Sequence, residues 1–412
     1  MDSPRAPDWA GRTKVKIETE VPHKRLKPFA NARRRVGARL PWGVFGMLAL
    51  VGGIEWFVAG HPRSFSDPVS WSWRLSAEAA QRDAPGCAVL CVGDSLVKHG
   101  VIPSVLEPKV GGRVCNLAVA RGPAPATYFL LKRALEAGAA PKAVVLDFKP
   151  SVLVGSAEYN LRYWQEILIA REILDLARRD HGGSLFVKIA VGRLLPSFRG
   201  RLEVRGAILA AFKGEESPML ILNRICERNW GVNQGANVAA QNPAFNGEVS
   251  EQQHKTLLSH LWYSHRANRK YVDEIFKLTA ERSIPVYWLL PPVSPALQAR
   301  REQTGAEEGY LGFVRDFQSR YSHVTVVDGR HADYPSSAFV DATHLDGRGA
   351  QGVSSALGAI LQERLDGRTD LERKRWVTLP RFDPNVAPLP LEDVEESRTV
   401  VMARVGAGTT SK

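Results

Sequence analysis

The chain has 412 residues, 44% of them apolar, and a formal net charge of +12, enough material for one large domain with appendages. Residues 1–39 hold 11 Lys and Arg against 4 Asp and Glu, a net of +7, so everything after them carries only +5. A mildly basic main domain argues against nucleic acid as a partner, and four cysteines with no Cys-x-x-Cys pair or zinc-like Cys/His spacing argue against a structural metal.

Residues 1–39 are rich in Pro and charge, have little apolar period, and end in Arg33-Arg34-Arg35 with Arg39 close behind, which predicts a disordered basic arm. Residues 40–60 then hold a single charge, Glu55, over a length that can span a bilayer. Trp42 and Trp56 lie near its two ends, where amphipathic rings favour the headgroup level. The positive-inside rule places the arm in the cytoplasm, with anionic lipid as its partner, and the chain after Gly60 outside. A buried core helix and a cleaved signal peptide compete with this reading. A glycine-rich span behind an arginine cluster and a long leader fits an uncleaved, single-pass anchor better.

Residues 61–86 read as a linker. Short β-branched runs follow at 87–92, 113–119, 143–148, 285–290 and 324–327, with helical patterns at 124–137, 254–282, 305–320 and 349–364. This alternation predicts an α/β domain over 87–365, a doubly wound, flavodoxin-like parallel sheet of about five strands. An insertion at 151–253 is too long for an ordinary connection. Within it, residues 159–179 read as a helix carrying Trp164, Ile167, Leu168, Ile173, Leu174 and Ala177 on one face. Residues 231–247 are Asn/Gly-rich and turn-like, and the insertion is placed over the site as a lid or substrate wall. Residues 366–412, with many Pro and charges, read as a surface or disordered tail. Cys87, Cys91, Cys115 and Cys226 demand no disulfide. Cys87 and Cys91 lie about 13 Å apart on one strand, beyond bridging distance, and read as small core residues.

The chemistry concentrates at the end of the first strand, where Gly93-Asp94-Ser95 lets the backbone turn so that the Ser95 hydroxyl points outward. A serine needs a base to attack a carbonyl. Far downstream, Asp341-Ala342-Thr343-His344-Leu345 supplies one, with Asp341 positioned to hold the imidazole of His344 in its working tautomer. In open α/β sheets ligands bind beyond the carboxyl ends of the strands, where both motifs can meet. Gly347-Arg348-Gly349-Ala350-Gln351-Gly352 has dinucleotide-loop spacing but follows no strand, and His99, His265 and His331 stand in no ligand spacing. No cofactor or metal is expected.

A strand-end Gly-Asp-Ser joined by a late Asp-x-x-His-Leu resembles the SGNH (GDSL-type) hydrolase superfamily over 87–365, with firm motifs at the two ends of that span. The resemblance implies catalysis by Ser95, His344 and Asp341, and an oxyanion site built from the backbone amides of Ser95 and Gly122, the latter in Ala120-Arg121-Gly122-Pro123. The family's third donor is an Asn side chain after the third strand. This chain departs there, reading Leu146-Asp147-Phe148-Lys149-Pro150-Ser151, and Lys149, Ser151 and Asn160 stand as alternative replacements. Combined with an anchor, the resemblance implies an extracytoplasmic esterase or O-acyltransferase acting on acylated carbohydrate or a small acyl ester. The similar branch modifies exported polysaccharides and can have a membrane acyltransferase as partner. The rival expectation is a non-catalytic, membrane-tethered glycan-binding or assembly protein on the same fold.

Overall fold

The computed structural model describes residues 42–180, 182–250, 262–367, 374–385 and 387–409. The basic arm, the first two residues of the apolar span and part of the 254–282 helical pattern lie outside them. Six strands, β1 (Val89–Val92), β2 (Val114–Asn116), β3 (Ala143–Leu146), β4 (Val286–Leu290), β5 (Val324–Asp328) and β6 (Trp376–Thr378), form one all-parallel open sheet. Their spatial order is β2-β1-β3-β4-β5-β6.

The alternation of side chains along each strand divides the core in two. Leu90, Val92, Val144, Leu146, Val286, Trp288 and Val326 enter one apolar cluster, whereas Val89, Cys91, Val145, Tyr287, Leu289 and Val327 enter another. A sheet buried on both faces needs helices on both. On the first face, α2 (Pro68–Arg82) packs on α5 (Ala124–Glu136), which packs in turn on α10 (Arg266–Ala280), with α11 (Ala306–Arg320) completing the cluster. On the second, α12 (Gly347–Leu365) packs against α3 (Ser95–Gly100) and α4 (Pro103–Val110).

At the N-terminal end, α1 (Trp42–Gly60) is long and apolar enough to cross a membrane, with a mean hydropathy of 1.6. Only Val58 in it is buried. That exposure separates α1 from a core helix, which would hide at least one apolar face. The boundary between the chain's two units falls inside this helix, after Ala49.

Four features differ from the sequence expectations. The segment read as a linker carries α2, capped by Asp67, whose carboxylate accepts from the amides of Val69 and Ser70 at 3.0 and 3.1 Å. Its Trp73 is fully buried, donates Nε1–H to the carbonyl of Ala120 at 2.9 Å, and meets the ring of Trp164 edge-on. The segment read as a tail supplies β6, pairing Val326 with Trp376 and Asp328 with Thr378. It also supplies α13 (Val394–Thr409), which packs on α9 (Pro218–Val232). The single helix expected over 159–179 is broken at Leu168, which is extended between Trp164–Ile167 and Ala170–Arg179. Trp164, Ile167, Leu168, Ile173 and Ala177 are buried as that pattern requires, but Leu174 is exposed. Finally, Cys87 and Cys115 form a disulfide, with a Cα–Cα distance of 5.9 Å. Spacing along one strand excludes Cys87–Cys91, but Cys115 lies on β2, the strand beside β1, and Cys87 comes just before β1.

The insertion continues through α6 (Gly183–Leu194), α7 (Pro196–Arg199) and α8 (Arg201–Phe212) into α9. The part of it that touches the carboxyl end of the sheet is the turn-like stretch after α9. There the amide of Asn237 donates to the carbonyl of Lys98 at 2.8 Å, and the carbonyl of Ala239 accepts from Gly347 at 3.0 Å.

Candidate active site

The chain leaves β1 through Gly93, whose φ of +138° suits a residue without a side chain. Asp94 then caps α3, its Oδ1 accepting from the amide of Leu96 at 2.8 Å and its Oδ2 from the amide of Lys149 at 2.6 Å. One carboxylate therefore joins the exit of β1 to the exit of β3, the neighbouring strands at which the order of the sheet reverses. Ser95 follows as the first residue of α3, half-buried, with the first amide of the helix and so no intrahelical acceptor for its N–H.

The opposing loop is fixed by its own hydrogen bonds. The amide of Val340 donates to the carbonyl of His344 at 2.9 Å, and Phe339 and Leu345 form an antiparallel bridge. Inside this turn, Asp341 Oδ1 accepts from the amides of Thr343 and His344 at 2.7 and 2.9 Å, which leaves Oδ2 to accept from His344 Nδ1–H at 2.7 Å. With Nδ1 carrying the proton, His344 Nε2 is the acceptor for the Ser95 hydroxyl, 2.9 Å away. Burial raises the Asp341 pKa, but the bonds from His344 and the two amides outweigh it and hold the carboxyl well below its usual range. It is an anion at neutral pH. Ser95, His344 and Asp341 thus meet in the arrangement expected from their motifs.

Three further residues shape the site. Lys149 is largely buried, and its ammonium lies 3.4 Å from Thr343 Oγ1, which in turn donates to Asp341 Oδ1 at 3.0 Å. Desolvation lowers its pKa against the attraction of Asp94 and Asp341. Of Lys149, Ser151 and Asn160, it is the one bonded into the loop that carries Asp341 and His344. His99 lies one helical turn after Ser95 and places its ring 4.9 Å from that of His344. Burial, and then the neighbouring His344, push its pKa down to about 3, so it stays neutral. Asn237 faces its Nε2 at 3.5 Å. The i, i+4 relation of Ser95 and His99 is a sequence signal for this pairing, whereas Asn237 reaches the site only through the insertion.

Gly122 requires a correction. Its N–H closes a turn onto the carbonyl of Val119 at 2.9 Å, with Arg121 at φ +60°, so that amide is not free to receive an oxyanion. The need for glycine is steric. A Cβ there would lie 2.6 Å from Val119 Cγ2 and 2.9 Å from the carbonyl oxygen of Gly93, pressing on the turn that carries Ser95.

Beneath the turn, the amide of Asp94 donates to Asp147 Oδ1 at 3.2 Å, and both carboxyls are fully buried. Burial raises both pKa values. Asp94 is eased by two amide donors and by Lys149, whereas Asp147 is pushed well above its usual range by burial and the Asp94 charge, so Asp147 holds the proton. The unfolded carboxyl ionises near about pH 4, so above that the folded state pays to retain a proton and stability falls as pH rises. Asn in its place has no proton to lose. Asp147→Asn is therefore expected to raise the melting temperature at pH 8 by about 2 to 4 °C, and by less at pH 5. A thermal melt by circular dichroism showing the same shift at both pH values would refute the neutral assignment.

No family model, curated protein or solved structure matches this chain.

Proposed function

We propose that the protein is a membrane-anchored, extracytoplasmic SGNH-type enzyme on a flavodoxin-like scaffold, which hydrolyses or transfers acyl groups on carbohydrate or a small acyl ester. The observation that carries this reading is the continuous hydrogen-bond chain from Ser95 through His344 to Asp341, at 2.9 and 2.7 Å. As the Ser95 oxygen attacks the acyl carbonyl, its proton passes to His344 Nε2, and Asp341 stabilises the imidazolium that forms. The carbonyl oxygen becomes an oxyanion for which the amide of Ser95 is a donor, and the Lys149 ammonium adds positive charge near the loop that holds the base. Collapse breaks the ester C–O bond, and His344 returns the proton to the leaving alkoxide. Water or a sugar hydroxyl then enters by the same steps in reverse, so hydrolysis and transfer share one acyl-enzyme. A membrane acyltransferase is the kind of partner that would supply acyl groups to a transferase of this design.

The outward orientation is supported by the arginines before α1 and by the Cys87–Cys115 disulfide, since structural disulfides persist in oxidising compartments. An alkaline phosphatase fused after the outer domain is expected to be active in a bacterial host; an inactive fusion alongside an active cytoplasmic reporter at the same point would reverse the orientation.

A fluorophosphonate tests the chemistry whatever the acceptor, because it reports the activated hydroxyl itself. Folded wild-type chain is expected to be labelled at Ser95 and the Ser95→Ala variant not at all. Folded wild-type protein that is never labelled would favour the non-catalytic, glycan-binding reading.

A further inference from the structure

We propose that the helical segment formed by α6, α7 and α8 is a second membrane contact, lying in the interface of the bilayer that α1 enters. This rests on the reading of α1 as a membrane span. Of the 28 large apolar side chains exposed among the described residues, ten lie in α1 and ten more in residues 186–212. Isolated exposed apolar residues need no explanation, but a concentration of this kind does. Val187, Val191 and Leu194 stand at i, i+4 and i+7, a continuous stripe along α6, and Leu202 and Leu209 repeat that seven-residue interval on α8. Phe198 and Phe212 are 63% and 86% exposed.

Charge selects the occupant of this surface. Residues 183–213 hold six Lys and Arg against a single acid, Glu203, a net of +5. That equals the whole net charge of the chain beyond residue 39, so the rest of that stretch is electrically balanced. Glu203 is paired with Arg162, Lys188 with Glu158 and Arg199 with Glu166, while Arg193, Arg201, Arg205 and Lys213 are exposed and have no carboxylate partner among the described residues. Exposed apolar stripes interleaved with these four cations suit anionic headgroups over acyl chains. A second copy of the chain would set the same four cations against these, which opposes self-pairing through this face.

Position agrees with charge. Glu55 accepts from the amide of Ser197 at 2.8 Å and from its hydroxyl, which fixes α7 to the anchor. Glu55 lies five residues before the end of α1, about 7.5 Å along the helix axis. Interfacial helices bury their apolar faces about 5 to 10 Å deep, which is the same level.

The test uses the full chain in vesicles of phosphatidylcholine with about 30% phosphatidylglycerol, containing a phospholipid with a photoactivatable group in its acyl chain. Peptide mapping is expected to find label in residues 186–212 as well as in 42–60. In the F198E/L202E/F212E variant, label in 186–212 should fall at least about fivefold while that in 42–60 is unchanged, since charged side chains leave the acyl region. Unaltered circular dichroism guards against misfolding of the variant. Label confined to 42–60 would overturn the second contact while leaving the anchor intact, and label in neither segment would remove the anchor reading as well. Dimers cross-linked through 186–212 in place of lipid label would overturn it in favour of a second copy.

Discussion

Ser95→Ala and His344→Ala are each expected to lower turnover of a small acetyl ester by about a thousandfold or more, and the double variant by little more than either alone. The reason is the 2.9 Å contact between Ser95 Oγ and His344 Nε2. A hydroxyl without its base cannot shed a proton during attack, and a base without its hydroxyl has nothing to activate, so the second deletion removes a function already lost. Asp341→Asn should lose somewhat less. It keeps the loop's amide bonds to Oδ1 but replaces the anionic partner of His344 Nδ1 with an amide, which can favour the wrong tautomer. Steady-state kinetics on the four variants decide the matter. Losses from Ser95→Ala and His344→Ala that multiply would show that the two side chains act independently.

Gly93→Ala is expected to be the most damaging single-methyl change near the site. Its Cβ would lie 2.3 Å from Asp147 Oδ1 and 2.7 Å from the Asp147 carbonyl oxygen, at a φ of +138° that side-chain-bearing residues rarely adopt. Neither clash has a cheap escape. The carbonyl belongs to the backbone leaving β3, and the carboxyl is packed against the amide of Asp94. A loss of about 2 to 4 kcal/mol in unfolding free energy is expected, with fluorophosphonate labelling of Ser95 slowed even in the fraction that folds. Denaturant unfolding measures the first and labelling rate the second. A variant within about 0.5 kcal/mol of wild type, the range of ordinary surface changes, would mean that the turn can reach its geometry without glycine.

What the sequence disclosed and what it hid divide along physical lines. Ser95, Asp341 and His344 were legible because each belongs to a short motif whose geometry is local: a strand ending in glycine, and a turn closed by its own carboxylate. The parallel sheet was legible from β-branched runs buried on both faces. The helix α2 was not, because its Ser and Ala residues dilute the apolar period that Trp73 and Leu75 would otherwise announce. Three residues of β6 between charged and Pro-rich stretches are too few to show alternation. The Cys87–Cys115 bond depends on which strand lies beside which, a tertiary fact. The fate of the Gly122 amide depended on a left-handed Arg121, which composition does not reveal.

The sheet is completed from near the end of the chain, and this bears on how the protein is made. Translation delivers the chain from its N-terminus, so β1 to β5 emerge well before Trp376–Thr378. Until then the backbone edge of β5 that β6 will cover lacks its partner, a row of donors and acceptors able to recruit a stray strand. A chain trimmed at residue 365 would make that transient state permanent. The segment that carries β6 therefore guards this edge during biogenesis, and a shortened form should be judged first by its solubility.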